Sequence, residues 1–329
     1  MTASPERGRG DIRVGICSWA DAALIEDGSF YPRKAMTAEA RLRHYASVFD
    51  VVEVNSSYYA IPDVRTTAQW VVRTPPAFLF HLKAFAPMTG HRVRPEALPA
   101  SMRALLPGAL PLTERGDLEV SARPPEALDA AFSVFRAAVE PIARAGKLGY
   151  VLFQLAPWVH YGSDQLDYLT SLPGRLPGWT VAVEFRHRSW YGDHTEQTLA
   201  VLRAAGLAHV IVDAPVVPNA VPRVLEATAS TAIVRLHGRH GEGWLAQLRG
   251  EEPAVREKYD YLYTESELAS LVPEVDALAE GAERVFISFN NNNRAYPVQN
   301  ALMMKRLLGQ PTPTARPEQR DLLLPEGAP

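Results

Sequence analysis

Charge follows directly on an apolar strand in Val181-Ala182-Val183-Glu184-Phe185-Arg186-His187-Arg188-Ser189-Trp190. Because alternate side chains of a strand point to opposite faces, Glu184 and Arg186 share one face, and Val183 and Phe185 share the other. Ionisable groups at the end of a buried strand are costly unless they have partners or a task. The pattern predicts one strand of a barrel, whose end contributes to a functional site.

Seven further apolar runs, separated by helical patterns, resemble this one. The eight runs cover residues 12–18, 51–55, 78–83, 148–154, 180–186, 208–213, 231–237 and 284–290. Strands that alternate with helices indicate parallel βαβ units. Eight such units favour an α/β fold of the closed (β/α)8 TIM-barrel type over an open sheet, which usually has five or six.

The spacing of the runs predicts a single domain over residues 11–309 with one insertion. Residues 86–124, between the third and fourth runs, are rich in proline and too long for one connection, so we expect a loop or lid with short helices followed by a helix over 125–145. Residues 239–264 form a second long connection, rich in aromatic residues. Residues 1–10 and the proline-rich tail 310–329 are predicted to be disordered or loosely held.

Composition narrows the class of protein. The chain has 329 residues, a net charge of −3, a pI near 6.3 and one cysteine, Cys17. A single cysteine excludes an internal disulfide and a cysteine-rich metal site. The sequence contains no stretch of about 18 apolar residues, and the balance of charge argues against a nucleic-acid partner without excluding a local basic patch. We therefore expect a cytoplasmic protein without a membrane partner, and its oligomeric state stays open.

Polar residues recur on one parity near the ends of the runs. In a TIM barrel that parity faces the lumen, and active sites lie at the C-terminal mouth. The predicted mouth contains Asn55, Lys83, Gln154, Glu184, Arg186, Asp213, Arg235, His237 and Asn290. Among the aromatic residues that follow strand ends, Tyr58, Trp244 and Tyr261 are the best candidates for ligand contact.

Several stretches together resemble the DUF72 family, also called YecE-like proteins. They are Gly15-Ile16-Cys17-Ser18-Trp19, Glu53-Val54-Asn55-Ser56-Ser57-Tyr58-Tyr59, Phe78 to Ala84, Leu152-Phe153-Gln154-Leu155, Glu184-Phe185-Arg186-His187-Arg188-Ser189-Trp190, Arg235-Leu236-His237-Gly238 and Phe289-Asn290-Asn291. The resemblance covers residues 12–308 and implies a TIM barrel with its site at the mouth, but no particular reaction. The chain differs from the family pattern at residues 86–122 and at Asn292-Asn293.

The first functional hypothesis is an acid–base enzyme, such as a lyase, isomerase or hydrolase. Lys83, Arg186 and Arg235 favour a small anionic or sugar-like metabolite, because guanidinium and ammonium groups bind phosphate and carboxylate. Glu184 is then either the base, with His237 or Lys83 completing proton transfer, or the partner that holds Arg186 in place. The residue pattern leaves these two roles open.

Two alternatives belong to other classes. A metal-dependent phosphodiesterase or endonuclease-like barrel would draw its ligands from Glu53, His81, Glu184, His209, Asp213 and His237, although no metal-binding spacing motif is present. A non-catalytic barrel would bind a ligand through the aromatic residues of the mouth. No phosphate loop, dinucleotide fingerprint or nucleophile elbow occurs, so no cofactor is predicted, and a divalent metal stays an alternative.

Overall fold

Eight parallel strands pair in chain order and close a barrel, because β8 pairs with both β7 and β1. The computed structural model describes residues 9–106, 112–118, 124–218, 220–248 (only the backbone of 247 and 248) and 258–312. The strands are β1 (Asp11–Cys17), β2 (Val51–Val54), β3 (Leu79–Lys83), β4 (Leu148–Gln154), β5 (Val181–Glu184), β6 (Ala208–Asp213), β7 (Thr231–Leu236) and β8 (Arg284–Phe289). The prediction of a (β/α)8 barrel is confirmed.

Helices connect the strands and cover the outside of the barrel. They are α1 (Ala22–Asp27), α2 (Ala38–Ala46), α3 (Ser56–Tyr59), α4 (Val64–Val72), α5 (Ala100–Arg103), α6 (Pro125–Arg144), α7 (Ser163–Arg175), α8 (Thr195–Ala204), α9 (Gly241–Leu248), α10 (Glu265–Gly281) and α11 (Tyr296–Leu307). Short 3₁₀ turns occur at Ala86–Thr89, Pro95–Ala97, Arg188–Trp190 and Gly192–His194. No described helix combines the length and apolar character needed to cross a bilayer.

Local sequence signals begin several of these helices. The Asp63 carboxylate accepts a hydrogen bond from the backbone N–H of Arg65 at 2.7 Å, which satisfies one of the free donors at the start of α4. At the start of α10, Thr264 Oγ1 accepts from the backbone N–H of Glu267 at 3.3 Å, and Glu267 Oε2 accepts from that of Thr264 at 2.9 Å. This reciprocal capping box fixes where the long β7–β8 connection ends.

The lumen is apolar at its base and charged toward its C-terminal end. Its apolar layer consists of Val51, Leu79, Tyr150, Leu152, Ala182, Ala208, Val210, Val212, Ile233 and Phe286. The opposite parity of the strands packs beneath the helices, as Val52, Val54 and Val183 show. Strand alternation therefore delivers Glu53, Glu184 and Arg235 into the upper lumen, as predicted from their parity.

The parity predicted for β6 is wrong. Ala208, Val210 and Val212 face the lumen, so His209 and Asp213 point outward. The His209 ring accepts from the Tyr191 hydroxyl at 3.0 Å, and its other nitrogen lies 3.1 Å from the Glu226 carbonyl oxygen. Both parities of β6 carry aliphatic residues, so the sequence pattern did not distinguish its inner from its outer face.

The outward position of His209 leads to a test by pH. Burial lowers the pKa of His209 from its ordinary value of 6.5 to about 4, so over this interval the unfolded chain binds a proton that the folded chain does not. This contribution to stability is therefore lost as the pH falls, by about 1.4 kcal/mol per pH unit. Urea unfolding at pH 7 and pH 5 should show His209→Gln losing less stability than the unaltered chain, and equal losses would contradict the assignment.

The insertion between β3 and β4 packs onto the barrel in the parts that the structure describes. Met88, Met102 and Leu118 are buried, and Val93 bridges to Leu118 in an antiparallel pair. The Trp158 indole N–H donates to the carbonyl of Gly90 at 3.0 Å. Short helices occur here as expected, whereas residues 107–111 and 119–123 lie outside the described residues, so a lid function stays a prediction.

The predictions of disorder at the two ends concern mostly residues 1–8 and 313–329, which lie outside the described ranges. The adjoining described residues contact the barrel. The Gly10 N–H donates to the Ala279 carbonyl at 2.8 Å, and Gln310 Nε2 donates to the Ile12 carbonyl at 2.7 Å. The ordered domain thus extends slightly past residues 11 and 309.

Candidate functional site

A fully buried arginine ties two carboxylates together in the upper lumen. Arg235 Nε donates to Glu53 Oε2 at 3.0 Å, and its Nη2 donates to Glu53 Oε1 at 2.6 Å. Its Nη1 pairs with Glu184 Oε2 and lies 3.3 Å from Gln154 Oε1. Because Arg235, Glu53 and Glu184 have no exposed surface, the three charges satisfy one another out of contact with water.

The second oxygen of Glu184 extends this network toward the mouth. Glu184 Oε1 accepts from Arg186 Nη1 at 2.8 Å and lies 3.3 Å from His237 Nε2. Asn290 Nδ2 lies 2.8 Å from His237 Nδ1, so in this arrangement the amide donates to the ring and Nε2 carries the proton. We call Glu53, Glu184, Arg235, His237 and Asn290 the buried network.

The electrostatics indicate that most residues of the buried network serve to hold other side chains in place. Burial raises the pKa of Glu184, but the charges of Arg235 and Arg186 and the hydrogen bond from His237 outweigh it and keep the pKa well below its ordinary value. Burial lowers the pKa of His237 to about 3, so this ring is neutral at pH 7. A carboxylate occupied by three donors is a weak base. The geometry thus favours Glu184 as the partner that holds Arg186.

Above the buried network lies a set of side chains that solvent reaches. Tyr58, Lys83, Arg186, Trp244 and Tyr259 are partly exposed, and Lys258, which is 5% exposed, joins them. We call these six residues the mouth group. The Lys83 ammonium lies 4.6 Å from the centre of the Tyr58 ring. The Arg186 guanidinium and the Lys258 ammonium each lie 5.0 Å from the centre of the Trp244 ring, so the same indole contacts both cations.

The mouth group shifts the acidity of its own members. Burial and the positive charge of Arg235 lower the pKa of Lys83, against the opposite effect of Glu53 and Glu184. Burial raises the pKa of the Tyr259 phenol, but the positive charges of Lys258, Arg186 and Lys83 outweigh it, and the net shift is downward. An amine and a phenol therefore both titrate closer to neutral pH than in water, as acid–base catalysis requires.

Two buried polar atoms beside the mouth have no hydrogen-bond partner among the described residues. These atoms are Asn55 Oδ1, which is buried, and Trp244 Nε1. Asn55 follows the lumen-facing Glu53 by two residues and thus lies at the C-terminal end of β2. Buried polar groups are nearly always paired, so such atoms indicate a place where a polar ligand would complete the bonding.

Two predicted site residues lie elsewhere. Asp213 accepts from Arg239 at 2.7 and 2.9 Å and from the Tyr263 hydroxyl at 2.8 Å, and it lines a surface groove of about 1360 Å³ beside the mouth. The Tyr261 hydroxyl donates to Glu267 at 2.5 Å. The structure brings the other predicted residues together, divided between the buried network and the mouth group, with Asn55 and Gln154 at the boundary.

Sequence reasoning overlooked Lys258 and Tyr259. Both lie in the β7–β8 connection, where Tyr259, Tyr261 and Tyr263 follow at intervals of two residues and no periodicity distinguishes them. The structure separates them by their neighbours, since only Tyr259 lies among the cations of the mouth. The feature of the sequence that could have indicated a role for Tyr259 is the adjacent Lys258.

The residues proposed for a metal site do not converge. Among the described residues, no group of three or more histidine, cysteine, aspartate or glutamate side chains is arranged to hold a metal ion. His209 and Asp213 point away from the lumen, and both oxygens of Glu184 already accept from arginine. The site is thus better suited to an anion than to a cation.

Comparison with known proteins agrees with the fold. The family model described as "Protein of unknown function DUF72" matches residues 13–322. UPF0759 protein YunF of Bacillus subtilis (strain 168) is 31% identical over 315 residues, which are 94% of this chain and 99% of YunF. A DUF72 family crystal structure from Enterococcus faecalis V583 has a TM-score of 0.74 at 25% identity, covering 91% of this chain and 96% of its own. One from Thermotoga maritima MSB8 has a TM-score of 0.69 at 26% identity, covering 91% and 100%. The chain therefore belongs to the DUF72 family and shares its barrel with these solved members.

Proposed function

We propose that this protein is an enzyme that binds a small anionic metabolite at the barrel mouth and converts it by acid–base chemistry, as a lyase, isomerase or hydrolase does. The observation that carries the proposal is the excess of positive charge. Among the described residues, Lys83, Arg186 and Arg235 lie with two carboxylates, Glu53 and Glu184, both of which Arg235 already binds.

The buried network and the mouth group serve different parts of the proposed function. The charges of the buried network are out of contact with water. The part of the network in this function is therefore to hold Arg186 in place through Glu184. Arg186 and Lys258 bind the anion, with the Trp244 ring as a surface beside it. Proton transfer falls to Lys83 and Tyr259, which are partly exposed and have lowered pKa values. This assignment replaces Glu184 as the base.

Removing one cation tests the anion-binding part. Arg186→Met is expected to weaken binding of citrate, inorganic phosphate and sugar phosphates by about 10- to 100-fold, because a charge-assisted hydrogen bond contributes about 1.5–3 kcal/mol. Isothermal titration calorimetry on the full chain measures the change.

The matched control for this test is Arg144→Met. Arg144 is an exposed arginine at the end of α6 that pairs with Glu140 on the same helix, outside the barrel. We expect Arg144→Met to bind the same anions with the affinities of the unaltered chain. Equal affinities in Arg186→Met and Arg144→Met would count against an anion site at the mouth.

Turnover distinguishes the enzyme from the non-catalytic barrel. Each anion that binds is incubated with the protein and followed by mass spectrometry and by ¹H NMR in D₂O, which detects exchange of a carbon-bound proton. Conversion or exchange that Lys83→Met abolishes supports the acid–base function. Tight binding across the panel with neither conversion nor exchange would assign the barrel to ligand binding alone.

A further inference from the structure

The amine of Lys83 is held differently from that of Lys147, a buried lysine that directly precedes β4. Lys147 Nζ donates to the carbonyls of Val71 and Thr74, at 2.7 and 2.8 Å, and to Thr74 Oγ1 at 3.0 Å, so its three protons are all engaged. Lys83 Nζ makes no hydrogen bond or ion pair with any residue in the described ranges, and it lies over the face of the Tyr58 ring. Among the residues that the structure describes, the Lys83 amine therefore stabilises no other group by hydrogen bonding.

The surroundings of Lys83 favour its neutral, nucleophilic form. It ends β3, where active-site residues of this fold lie, and it is shielded by Tyr58 on one side. Arg235 beneath it disfavours a second positive charge, and burial acts in the same direction. A lysine that is desolvated beside another cation is the usual form of an activated amine nucleophile. Lys258 differs, because it bonds to Tyr259 and contacts two aromatic rings.

We propose that Lys83 forms an imine with the carbonyl carbon of an anionic carbonyl compound, a class that includes 2-oxo acids and phosphorylated ketoses and aldoses. The inference rests on the proposed function, since Arg186 and Lys258 hold the anionic group of this substrate. It narrows the substrate class and gives Lys83 a covalent role.

The chemistry needs no further reactant. The lone pair of Nζ attacks the carbonyl carbon and forms a C–N bond, while the C=O π electrons move to oxygen, which takes up a proton as nitrogen loses one. The resulting carbinolamine loses its oxygen as water and becomes the imine. Tyr259, which interacts electrostatically with Lys83, is the group that exchanges a proton with this oxygen. The protonated imine draws electrons from the adjacent carbon, which permits proton abstraction or C–C cleavage, and hydrolysis restores Lys83.

The test is reductive trapping, which the small number of lysines makes easy to interpret. The chain contains five lysines, Lys34, Lys83, Lys147, Lys258 and Lys305. The full chain is incubated with dihydroxyacetone phosphate or with pyruvate, reduced with sodium borohydride, and analysed by intact mass and peptide mapping. We expect one adduct per chain, on Lys83, at least about tenfold above that on the exposed Lys34.

Control variants separate the covalent role from folding. Lys83→Met and Lys83→Arg should lose the adduct, and Lys34→Met should keep it. Far-UV circular dichroism verifies that the Lys83 variants are folded, and mapping of the unaltered chain requires no variant. Adducts confined to lysines other than Lys83, or absent with both probes, would overturn the imine.

Neutral dihydroxyacetone distinguishes the two proposals. If both stand, dihydroxyacetone phosphate labels Lys83 at least about tenfold faster than dihydroxyacetone, and Arg186→Met removes the difference. Equal labelling of Lys83 by the two compounds would keep the imine and contradict the anion site. Calorimetric binding of dihydroxyacetone phosphate without any adduct would keep the anion site and contradict the imine.

Discussion

Arg235→Met is expected to lower the free energy of unfolding by about 3–5 kcal/mol, because it leaves two buried carboxylates without their shared guanidinium. Arg235 engages Glu53 through two nitrogens and Glu184 through a third, and none of the three side chains is exposed. Urea unfolding at pH 7 measures the change. A loss below about 1 kcal/mol would show that the lumen does not depend on this network.

Two further variants sharpen that result. Adding Glu53→Leu to Arg235→Met removes one of the stranded carboxylates, so the double variant should be more stable than Arg235→Met alone. Arg144→Met, which breaks only an exposed pair, should cost less than about 0.5 kcal/mol. Additive losses in the double variant would mean that Arg235 and Glu53 act separately.

Lys83→Met is expected to reduce turnover of the anionic substrate by about 10²- to 10⁴-fold, the usual contribution of a positioned acid–base or nucleophilic group. The same change should raise the free energy of unfolding by about 1 kcal/mol, because it removes an amine that has no hydrogen-bond partner among the described residues. Steady-state kinetics and urea unfolding measure the two effects.

Lys147→Met is the matched control for this prediction. It leaves the acceptors of Val71 and Thr74 unpaired and should lower the free energy of unfolding by about 1–3 kcal/mol, with turnover unchanged. Lys83→Met and Lys147→Met should therefore change the free energy of unfolding in opposite directions. A destabilised Lys83→Met would assign a structural role to Lys83.

The barrel could be predicted from the sequence because its strands are short apolar runs at regular spacing. The order β1 to β8 followed from counting eight runs, and alternation correctly assigned Glu53, Glu184 and Arg235 to the lumen. The method failed at β6, where His209 and Asp213 point outward, because Ala208, Val210 and Val212 are as apolar as the outer residues of other strands. Polarity identifies a face only where the opposite face is clearly different.

The residues that face the lumen could largely be predicted, but the depth at which each one lies could not. Sequence parity treats Arg235 and Arg186 alike, whereas the structure buries Arg235 completely and leaves Arg186 about 10% exposed. Depth depends on how far each side chain reaches and on its partners across the lumen, such as Glu53, which is 182 residues away in the chain. For the same reason the pattern did not single out Tyr259, since its neighbours Lys83 and Arg186 lie at the end of β3 and just after β5, far from it in the chain.

Anomalous diffraction from crystals soaked in selenate tests the anion site most directly, because selenium locates an oxyanion without any assumption about the substrate. We predict a selenium peak at the mouth, with oxygens within hydrogen-bond distance, about 3 Å, of Arg186 and Lys258. The peak should be absent in Arg186→Met and present in Arg144→Met. Selenate bound only elsewhere, for example beside Arg223 in the groove lined by Asp213, would contradict the account.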